Sequence, residues 1–154
     1  MGNAGCLPGG VLLGLGVYRL VYFSGETARF TIDELNALAV EAQRKNTALE
    51  VTGLLLYRHG NFLQVLEGDE AVVKDLFNKI SEDPRHRRVI AVLQEPIAAR
   101  DFSSWSMAFY DLNDESAIPA GADTSVFTER HTEKPKSESV RRLIGIFAKA
   151  TTIG

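Results

Sequence analysis

Along VYRLVYFS, residues 17–24, hydropathy alternates with period two, so Tyr18, Leu20, Tyr22 and Ser24 fall on one side and Val17, Arg19, Val21 and Phe23 on the other. That is the period of a β-strand. Next, Thr31 followed by Glu34 has the spacing of a capping box, after which Ile32, Leu35, Ala39, Ala42 and Asn46 recur at helical spacing. The segment TIDELNALAVEAQRKN is therefore a predicted helix whose buried stripe ends on an amide. VTGLLLY and NFLQVLEG, separated by Arg58, His59 and Gly60, read as a hairpin. Asp69 caps a second predicted helix, with Val72, Val73, Leu76 and Ile80 on its stripe, which runs to Asp83 before Pro84 stops it. VIAVLQEPI and FSSWSMAFYDL follow as a fourth and a fifth strand, with Trp105, Met107 and Phe109 facing one way.

The resulting order, β-α-β-β-α-β-β, predicts an α+β fold: a ferredoxin-like mixed sheet with both helices on one face. In that topology the first and third strands lie side by side, making Tyr22 and Gln64 neighbours. Whether the two share a face is left open by the pattern. After Leu112 the composition turns polar and is broken by Pro119, Gly121 and Pro135, so residues 113–136 read as a connector. Residues 137–154 then form a helix with Val140, Leu143, Ile144 and Phe147 on one face and Arg141, Arg142 and Lys149 outside. Its apolar face needs a cover, and the sheet face bearing Val21 and Phe23 is the natural one, in this subunit or in a partner. Residues 1–16, apolar and glycine-rich, read as an extension ahead of a domain spanning 17–112.

Composition narrows the function. Within 154 residues, 45% hydrophobic and 24% charged, one core is expected, and a net charge of −3 with mixed signs lacks the basic footprint of a nucleic-acid binder. Cys6 is the only cysteine, which fits a reducing cytoplasm, and His59, His86 and His131 lack ligand spacing, so no metal is expected. The start is too short and too glycine-broken to span a bilayer. Gly2 and Cys6 are placed for double acylation, but Cys6 stands where the myristoylation pattern wants Ser or Thr.

Gln64 sits among apolar neighbours at a strand position, while Asn46 and Asp83 end the two helical stripes. An unpaired buried amide costs about 1–3 kcal/mol. The three either pair with one another or face a bound polar ligand, for which an amide-lined space between helices and sheet suits a heteroaromatic ring. No nucleophile–base pair, glycine-rich phosphate loop or metal box competes with these readings.

RLVYFS, QRKN ahead of VTGLLLYRHGNFLQVLEG, DPRH and EPIAARDFSSWSM, in that order from about Tyr18 to Leu112, together resemble the BLUF domain, a blue-light sensor that binds flavin noncovalently. The resemblance implies FAD as cofactor, with FMN or riboflavin also compatible. It implies that Tyr22 is the electron and proton donor and that Gln64 is the amide exchanging partners between Tyr22 and the flavin. Cofactor-binding positions implied are Asn46, Gln64, Tyr22, Ser24, Lys79, Asp83, Arg85 and His86, with Lys45 at a position that varies in the family. Trp105 and Met107 match the pair that relays the signal. Output is then non-enzymatic, through C-terminal helices to a downstream protein or a second copy in a homo-oligomer. The competing reading is a flavin-free ferredoxin-like ligand-binding module, or an acylphosphatase-type hydrolase using Asn46 and an arginine.

Overall fold

The computed structural model describes residues 16–102, 107–113 and 137–149. Its elements are β1 (Val17–Glu26), α1 (Ile32–Ala48), β2 (Thr52–Arg58), β3 (Asn61–Gly68), α2 (Glu70–Glu82), β4 (His86–Ile97), β5 (Ala108–Asp111) and α3 (Glu138–Lys149). The five strands form one sheet in the order β4-β1-β3-β2-β5. Pairing is antiparallel except between β2 and β5, which run parallel. The expected mixed α+β architecture is therefore present, with β1 and β3 central.

Local chemistry accounts for the boundaries. The Thr31 hydroxyl accepts from the Glu34 N–H at 3.1 Å, and the Glu34 carboxylate accepts from the Thr31 N–H at 2.8 Å, so the capping box is complete. Asp69 caps α2 by accepting from the Val72 N–H. His59 and Gly60, both at positive φ, make the two-residue turn between β2 and β3, matching the twist of the strands. Gly53 at φ 155 is a second such position: a Cβ there would collide with the Val65 carbonyl oxygen.

Alternation sends each strand's residues into two cores. Tyr18, Leu20, Tyr22, Leu55, Tyr57, Phe62, Leu66 and Met107 face α1 and α2, where they meet Leu35 and Val73. Val21, Leu54, Leu56, Leu63, Val65 and Tyr110 face the other way, against Val140, Ile144 and Phe147 of α3. The Phe23 and Phe147 rings stack at 6.1 Å, so α3 covers the second face within the same subunit. Arg141 and Arg142 are exposed, as the helical pattern predicts.

Two expectations are corrected. Ile32, placed on the buried stripe of α1, is 72% exposed, because Phe30 ahead of the cap packs edge-on against Phe62 and fills that end of the core instead. The fifth strand is shorter than the pattern indicates, starting at Ala108. The expectations for Gly2, Cys6, Trp105, His131, most of the 113–136 connector and the Lys149 side chain fall outside the described residues.

Candidate functional site

Tyr22 and Gln64 are direct cross-strand partners of β1 and β3, on the face under the two helices. The Tyr22 hydroxyl donates to Gln64 Oε1 at 2.5 Å, and Gln64 Nε2 donates to Met107 Sδ at 3.4 Å. All three side chains are buried. Burial, with a smaller contribution from the Asp83 charge, pushes the Tyr22 phenol well above its ordinary range, so its proton is firmly held in the ground state. Phe77 of α2 lies across the Tyr22 ring at 5.6 Å.

Tyr22 and Gln64 floor a cavity of about 400 Å³ between α1, α2 and the sheet. Leu38, Ala42, Leu55, Leu76 and Ile80 supply apolar walls, while Asn46, Gln64 and Tyr22 supply polar groups. Asn46 is 2% exposed, and its Nδ2 has no hydrogen-bond partner. Asn46, Gln64 and Asp83 do not pair with one another: Gln64 is taken by Tyr22 and Met107, and Asp83 by Arg85.

Charge gathers at the rim. Lys45, Lys79, Asp83, Arg85 and His86 all border the cavity. Arg85 grips Asp83 at 2.6 Å and reaches Glu41 of α1 at 3.4 Å, tying the end of α2 to α1. Its hydrogen bonds hold the Asp83 carboxyl below the usual carboxylate range. Lys79 is exposed and pairs with Asp75 along α2. Burial lowers the pKa of His86, keeping the imidazole neutral; its Nδ1 lies 3.0 Å from Ser24 Oγ and its ring packs on Phe62. Ser24 is not among the residues lining the cavity and meets it through His86. Arg85, committed to two carboxylates, is a poor phosphate holder, which counts against the hydrolase alternative at that residue.

The strand and helix patterns missed three contributors. Glu41 sits on the partly exposed shoulder of α1, and Gln43 of α1 donates from Nε2 to the Met107 carbonyl at 3.0 Å. Neither lies on the apolar stripe that periodicity marks. The third is an ion cluster on the opposite sheet face, where Arg19 is 3% and Glu67 0% exposed. Arg19 reaches Glu67 at 3.3 Å, Glu95 at 2.9 Å and Asp101 at 2.8 Å. The Glu67 carboxylate also accepts from the Asp101 and Phe102 N–H groups, and Asp101 Oδ2 accepts from the Ser137 N–H. The Ser137 hydroxyl in turn accepts from the Val140 N–H at the start of α3. Their positions among apolar neighbours in the alternation, Arg19 beside Val21 and Glu67 beside Val65, were the available signal.

A flavin ring suits this cavity. It has flat apolar faces for the Leu and Ile walls, and carbonyl and ring-nitrogen acceptors at its edge for the orphaned Asn46 donor. No cluster of His, Cys, Asp or Glu among the described residues is arranged to hold a metal, and no described helix is long and apolar enough to cross a membrane.

Comparison with known proteins places these features in context. The family profile described as BLUF, sensors of blue-light using FAD, matches residues 17–108. The photoactivated adenylate cyclase subunit beta of Euglena longa is 38% identical over 89 residues, which is 57% of this chain but 10% of that protein. Klebsiella pneumoniae BlrP1 with FMN and cyclic diGMP superposes with a TM-score of 0.72 at 31% identity, over 87% of this chain and 35% of that one. The dark-state structure of BlrB, a BLUF protein, superposes with a TM-score of 0.64 at 29% identity, covering 86% of this chain and 96% of that one. The chain thus spans about a tenth of the cyclase subunit it matches.

Proposed function

The chain belongs to the BLUF family, the blue-light sensors that use FAD, and from that premise we propose that Tyr22 and Gln64 are its light-sensitive pair. The observation carrying this reading is the buried chain Tyr22 hydroxyl, Gln64 amide, Met107 thioether beneath the cavity. A bound flavin supplies a chromophore that becomes a strong oxidant on absorbing blue light. Tyr22 is the donor beside it, and its hydroxyl proton has a route along the bond to Gln64 Oε1. A primary amide has an acceptor at one end and donors at the other, so Gln64 rearranges by presenting its other end or by changing tautomer. Asn46 would hold the ring through its free Nδ2, with Lys45 as a further ring contact, and Lys79, Asp83, Arg85 and His86 would meet or flank the ribityl chain. Ser24 acts by fixing the His86 ring.

When Gln64 Nε2 leaves Met107 Sδ, the deformable thioether repacks and shifts the balance between two packings of β5. The signal then leaves through α3 to a downstream protein or a second copy. Self-association of a homo-oligomer is part of that output in this reading, with Ile90 and Ile146, each 58% exposed, as the apolar residues to test. Light-minus-dark spectroscopy of FAD-loaded protein tests the core of the reading. Tyr22→Phe is expected to keep FAD and lose the reversible red shift, as is Gln64→Leu; a full red shift in either variant overturns the assignment.

A further inference from the structure

We infer that Gln43 is a positioning residue for the light-sensitive pair: through its hydrogen bond to the Met107 carbonyl it sets where the thioether stands against Gln64. Met107 is held at two points by two amides. Gln64 Nε2 donates to its sulfur from the sheet, at 3.4 Å, and Gln43 Nε2 donates to its main-chain oxygen from α1, at 3.0 Å. Met107 lies one residue ahead of β5, whose parallel pairing with β2 begins at Leu54 and Ala108. At that point the chain enters the sheet edge, so the helix amide fixes its entry.

The Met107 side chain is enclosed. The side chain is 1% exposed and belongs to the core cluster packed under α1 and α2. Of the two hydrogen bonds to Met107, the one to its carbonyl comes from α1 and the one to its sulfur from the sheet, so the contact between sulfur and Gln64 can change without moving α1. Gln43 thereby confines the response to the side chain and resists displacement of the backbone. Losing the tether lets the backbone follow the thioether, which lowers the barrier to return. This inference rests on the assignment of Tyr22 and Gln64 above.

The chain has two methionines, Met1 and Met107. Protein labelled with 13C at the methionine methyls therefore reports the interior site with one resonance besides that of Met1. Three proteins are compared, each flavin-free and FAD-loaded: wild type, Gln43→Leu, which keeps the side-chain bulk without a donor, and Gln43→Lys, which keeps a donor. In Gln43→Leu the Met107 methyl resonance is expected to move in both forms, and dark recovery of the FAD-loaded protein to accelerate about threefold or more, the scale of one neutral hydrogen bond. In Gln43→Lys both return toward wild type. An unmoved resonance in flavin-free Gln43→Leu overturns the inference, and so does an equal displacement in Gln43→Lys, since the donor is then not the cause. A normal red shift in Tyr22→Phe defeats the parent assignment instead and leaves the flavin-free spectra as they are.

Discussion

Replacing Arg19 with methionine is expected to cost as much as truncating a large core side chain on the face opposite the cavity. Arg19 is nearly the same length as methionine plus a charge, so the apolar stem is retained and only the guanidinium is lost. That group neutralises Glu67, which is fully buried, and Asp101, whose side chain is 7% exposed. Its third partner, Glu95, is 36% exposed and contributes little. Stranding two buried carboxylates beside each other costs about 3–5 kcal/mol. For a chain of this size the melting temperature falls by roughly 6–20 °C. Burial already holds the Glu67 carboxyl above its usual range, and Arg19 is one of the groups pulling it down. Its removal raises that pKa further. A carboxyl with a folded pKa above its unfolded one favours the native state below the unfolded value and penalises it as pH rises through the folded value. The deficit of Arg19→Met is therefore largest at neutral pH and shrinks toward pH 5. Adding Glu67→Leu does not restore stability, unlike many deletions of whole buried ion pairs. It removes the acceptor that the Asp101 and Phe102 N–H groups use, at about 1–3 kcal/mol each. Urea denaturation followed by far-ultraviolet circular dichroism at pH 7 and pH 5 measures all of this. A deficit under about 1 kcal/mol at pH 7, or one of equal size at both pH values, refutes the reasoning.

Asn46→Leu is expected to stabilise the flavin-free protein by about 1 kcal/mol, because it removes an unpaired buried donor, while weakening FAD binding about tenfold. Thermal melts and fluorescence titration read the two opposed effects, and a loss of both stability and affinity refutes them. Gly53→Ala forces a Cβ into the Val65 carbonyl oxygen at a backbone angle that alanine avoids, so a loss above about 2 kcal/mol is expected by urea titration. The lowered Asp83 pKa means its pair with Arg85 stabilises the fold above the unfolded carboxylate range and fades as pH falls through the depressed folded value. Since Arg85 is 45% exposed, Asp83→Asn costs under about 1 kcal/mol at pH 7, and a deficit that does not shrink as the pH falls through the acidic range contradicts the assignment. Lysine at both Ile90 and Ile146 is expected to lower the mass of any self-associated species seen by light scattering, with an unchanged mass counting against that surface.

Features governed by near neighbours in the chain were readable beforehand. The Thr31–Glu34 box, the Asp69 cap and the His59–Gly60 turn each need only a few consecutive residues, and all three form. The alternation of β1 and β3 identified the right faces, but that Tyr22 and Gln64 share one required the register, which pairs them directly. Ile32 misled because helical periodicity cannot say how far a helix overhangs its sheet, or that Phe30 takes the space. Gln43 was illegible for a different reason: its partner is a main-chain oxygen, and every residue has one. Arg19 and Glu67 were visible as charges on apolar faces, but their meaning depends on Asp101 and Ser137, remote in sequence.

The central strand β3 serves both faces of the sheet with alternate letters: Gln64 looks toward the cavity, while Leu63, Val65 and Glu67 look toward α3 and the ion cluster. Substitutions in it can be absorbed one at a time, but a single inserted or deleted residue would trade the two sets downstream of the change, sending an amide into an oily layer and a leucine to the pigment. Lineages descended from this chain are accordingly expected to vary the spelling of β3 far more readily than its length, and engineers grafting new linkers should open the molecule at its loops and leave this strand uncut.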